Sequence, residues 1–327
     1  KKYKIVMVVA DIASDEMPFF QPFVKSQIES IEKLGHEIKI FNLHGPGNTL
    51  NYATKAIPLK KLCKDFKPDI VHSHYSFCAI TALISLPVKQ VVSYMGSDII
   101  SKGEANTTSR LKNSLIHKIS KIPAPFASAI VVKTEEMANQ FSNRKKVHIV
   151  PNGVDFEKFK PIDKQEARKI LNLDLFQKII LFPGNVKDPN KNFSLASQVV
   201  DKIKTTTSLK PEIISFRKKS PEVLWLYYNA CDVLLFTSHS EGSPNVIKEA
   251  LACNTPIVTV PVGDTRNLLC GLKNSYLCHY DVNELSNGVK EILANTNRSN
   301  GRECIGHLEI MEVAKKIDAI YASIVNK

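Results

Sequence analysis

The feature that most constrains this chain is an alternation of short apolar runs with longer segments of helical period. Six apolar runs lie at residues 3–10, 36–41, 69–74, 89–95, 129–134 and 146–151. Five more lie at 178–184, 211–216, 232–238, 256–263 and 275–280. Strands rich in Val and Ile that alternate with helices are typical of parallel sheets covered on both faces. We therefore predict an α/β fold in which each run is a parallel strand.

The chain length predicts two domains, because 327 residues exceed what one ordinary core organises. The strand pattern also restarts after the segment 151–161. We expect doubly wound, Rossmann-like domains at residues 1–152 and 153–308, facing a cleft. A last helix within 309–327 follows, and we expect it to pack back on the first domain.

The charge of the chain is unevenly distributed. The net charge is +12, and residues 1–150 hold 21 Lys and Arg against 12 Asp and Glu. Such a basic half indicates a polyanionic partner, such as nucleic acid or anionic lipid, or serves solubility alone. Because no nucleic-acid recognition motif accompanies the charge, we expect no nucleic-acid partner.

One basic helix candidate, residues 110–122, leaves two interpretations open. Leu111, Leu115 and Ile119 recur every four residues, with lysines and an arginine between them. An interfacial helix on the anionic inner leaflet of a membrane fits this pattern. A core-facing helix with a solvated basic side fits it too, and this second interpretation is the simpler one.

Cysteine spacing and hydropathy favour a cytoplasmic setting. The seven cysteines show no C-x-x-C pair and no zinc-type spacing. The longest apolar run, at 79–88, is too short to span a bilayer, and Lys1 and Lys2 precede a strand pattern rather than a signal peptide. We expect a cytoplasmic protein whose membrane contact, if any, is peripheral, at the inner face.

The segment FTSHSEGSPNVIKEALACNTPIVTVPVG, residues 236–263, carries the most chemistry. Its Ser-Pro predicts a helix that begins at Pro244 with Ser243 as its cap. The backbone N–H groups of Asn245 and Val246 would then bind an anion such as phosphate. Glu241 and Glu249 would flank that site, which suits a sugar on one side of a phosphate and a ribose on the other. The simpler alternative is that both glutamates are solvated.

Several segments, in order along the chain, resemble those of the family-four retaining glycosyltransferases. EGSPNVIKEALACNTPIV is similar to the family's E-x7-E segment, and FPGNVKDPNKNFSLA (182–196) to its diphosphate-binding loop. VVSYMGSD (91–98) resembles its acceptor-side loop, and IVPNGVDFEKFKP (149–161) the start of its second domain. The resemblance implies the GT-B fold of two Rossmann-like domains.

The resemblance also implies roles for individual residues. Glu249 would hold the ribose hydroxyls of a nucleotide donor, and Glu241 the hydroxyls of the donor sugar. Lys191 would neutralise the diphosphate, so that no metal or other cofactor is required. Asp98 would serve on the acceptor side. Further donor contacts are implied for Gly184, Asn185, Lys187, Gly242, Ser243, Asn245 and Val246.

The chain departs from the family pattern at three places. Asn185 stands where the family usually has an arginine, and Lys187 is the candidate to compensate for the lost charge. Met95 replaces a common histidine, and a thioether cannot relay a proton. The loop at 10–22 lacks the glycine pair of many members, which predicts an atypical acceptor pocket. The candidate nucleobase loop, 216–222, offers no readable base code.

His72 and His74 lie two residues apart on a predicted strand, so they share one face. A metal site, a wall of the cleft and packed strand-end histidines are the alternatives. Because no clear third ligand accompanies them, we predict no metal.

The resemblance, together with these residues, implies a metal-independent, retaining glycosyltransferase. It would move a sugar from a nucleoside diphosphate sugar to a hydroxyl of a glycan or lipid-linked acceptor, in cell-surface polysaccharide or glycolipid synthesis. Its partners would be that donor, that acceptor and an anionic membrane contacted by the basic first domain. A nonhydrolysing sugar-nucleotide epimerase and a noncatalytic sugar-nucleotide-binding subunit remain as alternatives.

Overall fold

The structure is a computed structural model that describes residues 1–11, 22–44, 50–96, 98–100, 107–216, 220, 222–295 and 297–326. In the helix that begins at Thr107, side chains are described from Ser114 onward. Most of the loop at 10–22 and of the candidate nucleobase loop at 216–222 lies outside the described residues.

All eleven predicted runs form strands, and the structure confirms the α/β fold. The strands are β1 Lys4–Val9, β2 Glu37–Asn42, β3 Ile70–His74, β4 Lys89–Ser93, β5 Ala129–Val132, β6 Val147–Ile149, β7 Ile179–Phe182, β8 Glu212–Ser215, β9 Val233–Phe236, β10 Ile257–Thr259 and β11 Tyr276–Leu277. Every pairing between them is parallel.

Fourteen α-helices connect and flank these strands within the described residues. They are α1 Pro22–Glu32, α2 Leu50–Thr54, α3 Ala56–Phe66, α4 Ser76–Ala82, α5 Thr107–Ser120, α6 Glu135–Ala138, α7 Lys164–Ile170, α8 Phe193–Thr206, α9 Leu224–Ala230, α10 Asn245–Ala252, α11 Thr265–Leu268, α12 Val282–Ala294, α13 Gly301–Cys304 and α14 Ile310–Val325.

Helix α7 has no counterpart among the sequence predictions. It spans seven residues and buries only Ala167 and Arg168, so it shows no apolar period. Its local signal is the cap: the Asp163 carboxylate accepts hydrogen bonds from the backbone N–H groups of Gln165 and Glu166.

The first of two compact units contains residues 1–153 and 310–327. Its six-stranded sheet has the order β2-β1-β3-β4-β5-β6. One face of that sheet shares a core with α1 and α14, in which Ile5, Ile28 and Ile317 are fully or almost fully buried. The C-terminal helix is therefore part of this unit, although 156 residues separate it from the rest of the unit in sequence.

The second unit contains residues 154–309, and its five-stranded sheet has the order β11-β10-β9-β7-β8. The units divide after Gly153 and Glu309, where the sequence predicted boundaries after 152 and 308. In this order β7 and β9 are neighbours, so the loops that follow these two strands leave the sheet side by side. Because of this adjacency, residues on the two loops lie close together, and they form part of the candidate site.

Two further observations bear on membrane contact. No helix in the described part of the chain is both long and apolar enough to cross a bilayer. In α5, Leu115 is 59% exposed and Ile119 is partly buried. The core-facing interpretation of this helix is therefore wrong for Leu115, whose side chain is more than half exposed.

Candidate functional site

Hydrogen bonds join the loop after β7 to the loop after β9. The backbone N–H of His239 donates to the carbonyl of Asn190 at 2.8 Å, and the Asn190 amide donates to the carbonyl of Ser240 at 2.9 Å. The hydroxyl of Thr237 donates to the carbonyl of Lys191 at 3.0 Å. The two loops are thus held as one rigid edge of the second sheet.

This edge brings Lys191 and Glu241 together. The Nζ of Lys191 lies 2.5 Å from the Oε1 of Glu241, and both side chains are partly buried. Gly184 lies beneath the lysine, because a Cβ at that position would stand 2.9 Å from the Cγ of Lys191. A cation and a carboxylate therefore meet at one point beside the start of α10.

The start of α10 differs from the prediction by one residue. The helix begins at Asn245, and Pro244 is its N-cap. Ser243 is therefore one residue too early to be the N-cap, and its hydroxyl accepts a hydrogen bond from the Nζ of Lys248 at 3.1 Å. Asn245 and Val246 still begin the helix, so their backbone N–H groups point out of its N-terminus.

Lys248, which is buried, and Asp264, which is partly buried, both contact the hydroxyl of Ser243. Lys248 is 1% exposed, and the Ser243 hydroxyl is hydrogen-bonded to Asp264 as well. Burial lowers the pKa of Lys248 to about 8, although the charges of Asp264 and Glu249 oppose the change. Burial also raises the pKa of Asp264. The cluster fixes the loop that leads into α10.

A backbone contact fixes the same loop from the other side. The backbone N–H of Asp264 donates to the carbonyl of Gly242 at 3.1 Å. Gly263, at φ +56°, packs so closely that a Cβ there would stand 2.0 Å from the oxygen of Gly242. Only glycine fits this position, because it combines a left-handed backbone with direct backbone contact.

Glu249 lies on the second turn of α10 and has its own partner. The hydroxyl of Tyr228, in α9, donates to the Oε2 of Glu249 at 2.7 Å. Burial raises the pKa of Glu249, and the hydrogen bond from Tyr228 opposes that rise. The two glutamates of the E-x7-E segment thus have different partners and do not pair with each other.

Asn185 and Lys187 lie on the exposed side of the loop after β7. The Asn185 side-chain oxygen accepts a hydrogen bond from the backbone N–H of Lys187 at 3.1 Å, which closes a local turn. Compensation by Lys187 for the missing arginine stays a prediction.

In the first unit, Asp98 is buried and organises two loops. One carboxylate oxygen accepts from the backbone N–H groups of Met95 and Gly96, and the other accepts from Ser76 at 3.2 Å. Burial raises the pKa of Asp98 to about 6, against the effect of these hydrogen bonds. The carboxylate therefore ties the loop after β4 to the start of α4, and its catalytic role stays a prediction.

His72 and His74 share a face of β3, as predicted, with ring centroids 4.5 Å apart. The ring nitrogens of His72 contact the hydroxyls of Tyr321 at 2.6 Å and Ser93 at 2.8 Å. Burial lowers the pKa of His74 to about 3, and the charge of Lys133 adds to this effect. Both rings are therefore neutral, and His72 is a packed histidine in the middle of β3. Nowhere in the described ranges do three His, Cys, Asp or Glu side chains gather as metal ligands would.

Four residues of the second unit's site lacked any sequence signal: Tyr228, Lys248, Gly263 and Asp264. Lys248 precedes Glu249 on an amphipathic helix, where a lysine is ordinarily solvated. Tyr228 lies 21 residues before its partner, and Gly263 lies 21 residues after Gly242. Only the packing of α9, α10 and the loop after β10 brings these residues to the site.

Two family models match the chain. The model described as Glycosyltransferase Family 4 matches residues 6–158, and the model described as Glycosyl transferases group 1 matches residues 205–303.

A putative teichuronic acid biosynthesis glycosyltransferase of Bacillus subtilis (strain 168) is 26% identical over 230 residues, which are 63% of this chain and 56% of that protein. A D-inositol 3-phosphate glycosyltransferase of Mycolicibacterium smegmatis is 24% identical over 227 residues, 60% of this chain and 52% of that protein. The chain thus spans about half the length of these curated relatives.

Solved structures share the fold. Sucrose-phosphate synthase from Thermosynechococcus elongatus superposes with a TM-score of 0.79 at 16% identity, over 100% of both chains. HepE from Anabaena, in complex with UDP, superposes with a TM-score of 0.68 at 15% identity, over 98% of this chain and 100% of its own.

Proposed function

The chain belongs to the family-four glycosyltransferases with the GT-B fold, and from that premise we propose that it transfers a sugar, with retention, from a nucleoside diphosphate sugar to a hydroxyl group. The acceptor is a glycan or a lipid-linked molecule of cell-surface polysaccharide or glycolipid synthesis. The relative from Bacillus subtilis is named for teichuronic acid biosynthesis, which supports this acceptor class.

The observation that carries the proposal is the meeting of Lys191, Glu241 and the start of α10. The Lys191 ammonium and the N-terminus of α10 are both attractive to a diphosphate, and the nearby Glu241 carboxylate accepts hydrogen bonds from sugar hydroxyls. Glu249, oriented by Tyr228, accepts hydrogen bonds from ribose hydroxyls about one helical turn from the start of α10. The order of these groups matches the order of sugar, diphosphate and ribose in one donor.

The transfer needs no covalent nucleophile from the protein. The bond between the anomeric carbon and the diphosphate oxygen breaks, and the acceptor oxygen bonds the anomeric carbon on the same face. The departing phosphate oxygen takes the acceptor proton. Lys191 and the first-turn amides of α10 stabilise the negative charge that develops on the leaving group, without a metal. Met95, which cannot carry a proton, is compatible with this route.

Binding of the donor is the first test. The full chain is mixed with UDP, UDP-glucose and the corresponding adenosine and guanosine compounds, and the unfolding temperature is measured. UDP compounds are natural first probes, because HepE structures hold UDP and UDP-glucose. We expect one nucleoside diphosphate to raise the unfolding temperature. A chain that is indifferent to all of them contradicts the donor site.

Variants at the two glutamates distinguish recognition of the nucleotide from recognition of the donor sugar. We expect Glu249→Ala to weaken binding of the bare nucleoside diphosphate by about tenfold or more, because it removes hydrogen bonds to a charged group. Glu241→Ala should leave that binding within about twofold and should reduce sugar transfer. Glu166→Ala, at an exposed glutamate of α7, is the matched control. Equal effects of Glu241→Ala and Glu249→Ala contradict the assignment.

Product analysis separates the proposal from its alternatives. Transfer to an added acceptor that survives a metal chelator supports a metal-independent glycosyltransferase. Isomerised donor without acceptor identifies the epimerase. Donor binding with no consumption across glycan and lipid-linked acceptors identifies the noncatalytic subunit.

A further inference from the structure

One surface of the first unit combines exposed apolar and basic side chains. Leu115, Ile122 and Phe126 are 59%, 47% and 54% exposed. Lys118 is exposed between the first two, and spacings of three and four residues place Leu115, Lys118 and Ile122 on one side of α5 and the turn that follows it. We name these residues, together with Lys121 and Lys145, the basic-apolar surface.

Side-chain contacts join the two segments that carry this surface. The Nζ of Lys146 donates to the carbonyls of Pro125 and Ala127, at 3.2 and 2.9 Å. The Nζ of Lys121 donates to the side chain of Gln140 at 3.2 Å. A groove of about 460 Å³ runs between Lys121 and Lys146. The turn before β6, with Lys145, therefore lies directly against the turn after α5.

The segment that carries most of this surface is basic. No Asp or Glu occurs between Glu104 and Glu135, and Lys118 and Lys121 of the basic-apolar surface lie within that stretch. Lys145 is exposed on the neighbouring turn, where Arg144 is paired with Glu135. Three lysines therefore lie beside the exposed apolar side chains.

The basic-apolar surface and the candidate acceptor-side residues lie at opposite ends of the strands of the first sheet. The turn after α5 leads into β5 and the turn at 144–146 leads into β6, so both lie at the amino ends of the strands. Asp98, Met95 and His74 lie at the carboxyl ends of β3 and β4. A partner bound at the basic-apolar surface therefore does not compete for these residues.

We propose that the basic-apolar surface binds the surface of an anionic phospholipid bilayer. Apolar side chains of this size enter the boundary between headgroups and acyl chains, while the lysines attract the anionic headgroups. Isolated exposed apolar side chains are common on protein surfaces. Here three of them lie beside lysines on a helix and the turn that follows it, and the surface of an anionic bilayer offers both apolar and anionic contacts. The occupant is a lipid surface because anionic headgroups complement the lysines that lie beside the exposed apolar side chains.

The test is sedimentation of the full chain with vesicles. Vesicles of equal parts phosphatidylglycerol and phosphatidylcholine should carry the chain into the pellet, and vesicles of phosphatidylcholine alone should not. We expect Lys118→Glu with Lys145→Glu to reduce binding by about tenfold or more, since each basic residue near the bilayer contributes several-fold. Leu115→Ser with Phe126→Ser should reduce binding at high salt, where the apolar contribution remains.

Matched variants in the second unit are the controls. Lys169→Glu with Lys273→Glu makes the same change in net charge at exposed positions, and Phe176→Ser removes a side chain that is 88% exposed. These should bind vesicles nearly as the parent does. Equal losses from both lysine pairs, equal binding to both vesicle types, or no binding at all would overturn the proposal. Nucleoside diphosphate binding and the unfolding temperature are measured on each variant. Values equal to those of the parent show that the variant is folded, so that its loss of vesicle binding is independent of the proposed sugar transfer.

Discussion

At the scale of single residues, Lys248 shows how burial changes chemistry. A lysine on an amphipathic helix is ordinarily solvated, yet this one is 1% exposed between Ser243 and Asp264. Burial in the protein interior disfavours the charged form, which is why its pKa falls to about 8. The retained charge holds the Ser243 loop, which precedes the helix start proposed to bind phosphate.

Lys248→Met tests this burial through the pH dependence of stability. The folded pKa of about 8 lies below the ordinary value of 10.5, so the charged lysine opposes folding most below about pH 8. That cost is relieved as the pH rises toward 10.5. Relative to the parent, the methionine variant should therefore lose about 2–3 kcal/mol of unfolding free energy between about pH 7 and pH 10. Urea unfolding at both pH values measures this difference, and Lys169→Met at an exposed site should show none.

At the scale of elements, the site depends on how a loop enters a helix. The loop after β9 is fixed by Asn190 on one side and by Gly263 and Asp264 on the other. These contacts set the direction in which α10 begins, and so where the amides of Asn245 and Val246 point. The loop is thus positioned by contacts from two other loops and from Lys248 of α10, and its own sequence supplies Thr237, Ser243 and the proline N-cap.

Gly263→Ala should disturb the proposed donor site more than the rest of the unit. A Cβ there would stand 2.0 Å from the oxygen of Gly242, so the loop must shift. We expect a loss of more than about 1 kcal/mol of unfolding free energy together with weaker nucleoside diphosphate binding. Gly271→Ala is the matched control, since its φ is +76° but nothing lies within 4 Å of the added Cβ. If the two variants bind nucleotide equally well, the contact with Gly242 does not position the site.

At the scale of the whole molecule, the first unit is discontinuous in sequence. Helix α14 returns to it after the second unit and packs on α1 and β1. Tyr321 of this helix also contacts His72, in the middle of β3. The last helix therefore stabilises the core of the first unit and fixes one of the two stacked histidines of β3.

Ile317→Ala should weaken the first unit without weakening the second. The side chain is fully buried, and its truncation should remove about 2–5 kcal/mol of unfolding free energy. Trp225, the single tryptophan, lies in the second unit and reports on that unit by fluorescence. Circular dichroism should show earlier unfolding while the fluorescence transition stays in place. Ile203→Ala, at an equally buried site of the second unit, should shift the fluorescence transition instead.

The sequence alone determined the class of fold and the order of its parts. The apolar runs predicted the strands, and a run of Val, Ile and Met such as residues 5–9 predicted a central one, because parallel strands of this composition have both faces covered. The restart of the pattern located the second domain, and the Ser-Pro before an apolar period located a helix start to within one residue. Glu241 and Glu249 stood out because they flank such a start, where backbone N–H groups would bind an anion, and Lys191 stood out because its loop resembles the family's diphosphate-binding loop.

Only the tertiary structure decided which groups meet. Lys191 and Glu241 are 50 residues apart, and they touch because β7 and β9 are neighbours in the sheet. Ser243 is not the N-cap, and its hydroxyl is hydrogen-bonded to Lys248 and Asp264, which the packing of α10 and the loop after β10 brings to it. Strand order and loop packing depend on long-range burial, which leaves no periodic trace in the local sequence. Hydrophobic pattern therefore fixed the elements, whereas the contacts of the candidate site required the folded chain.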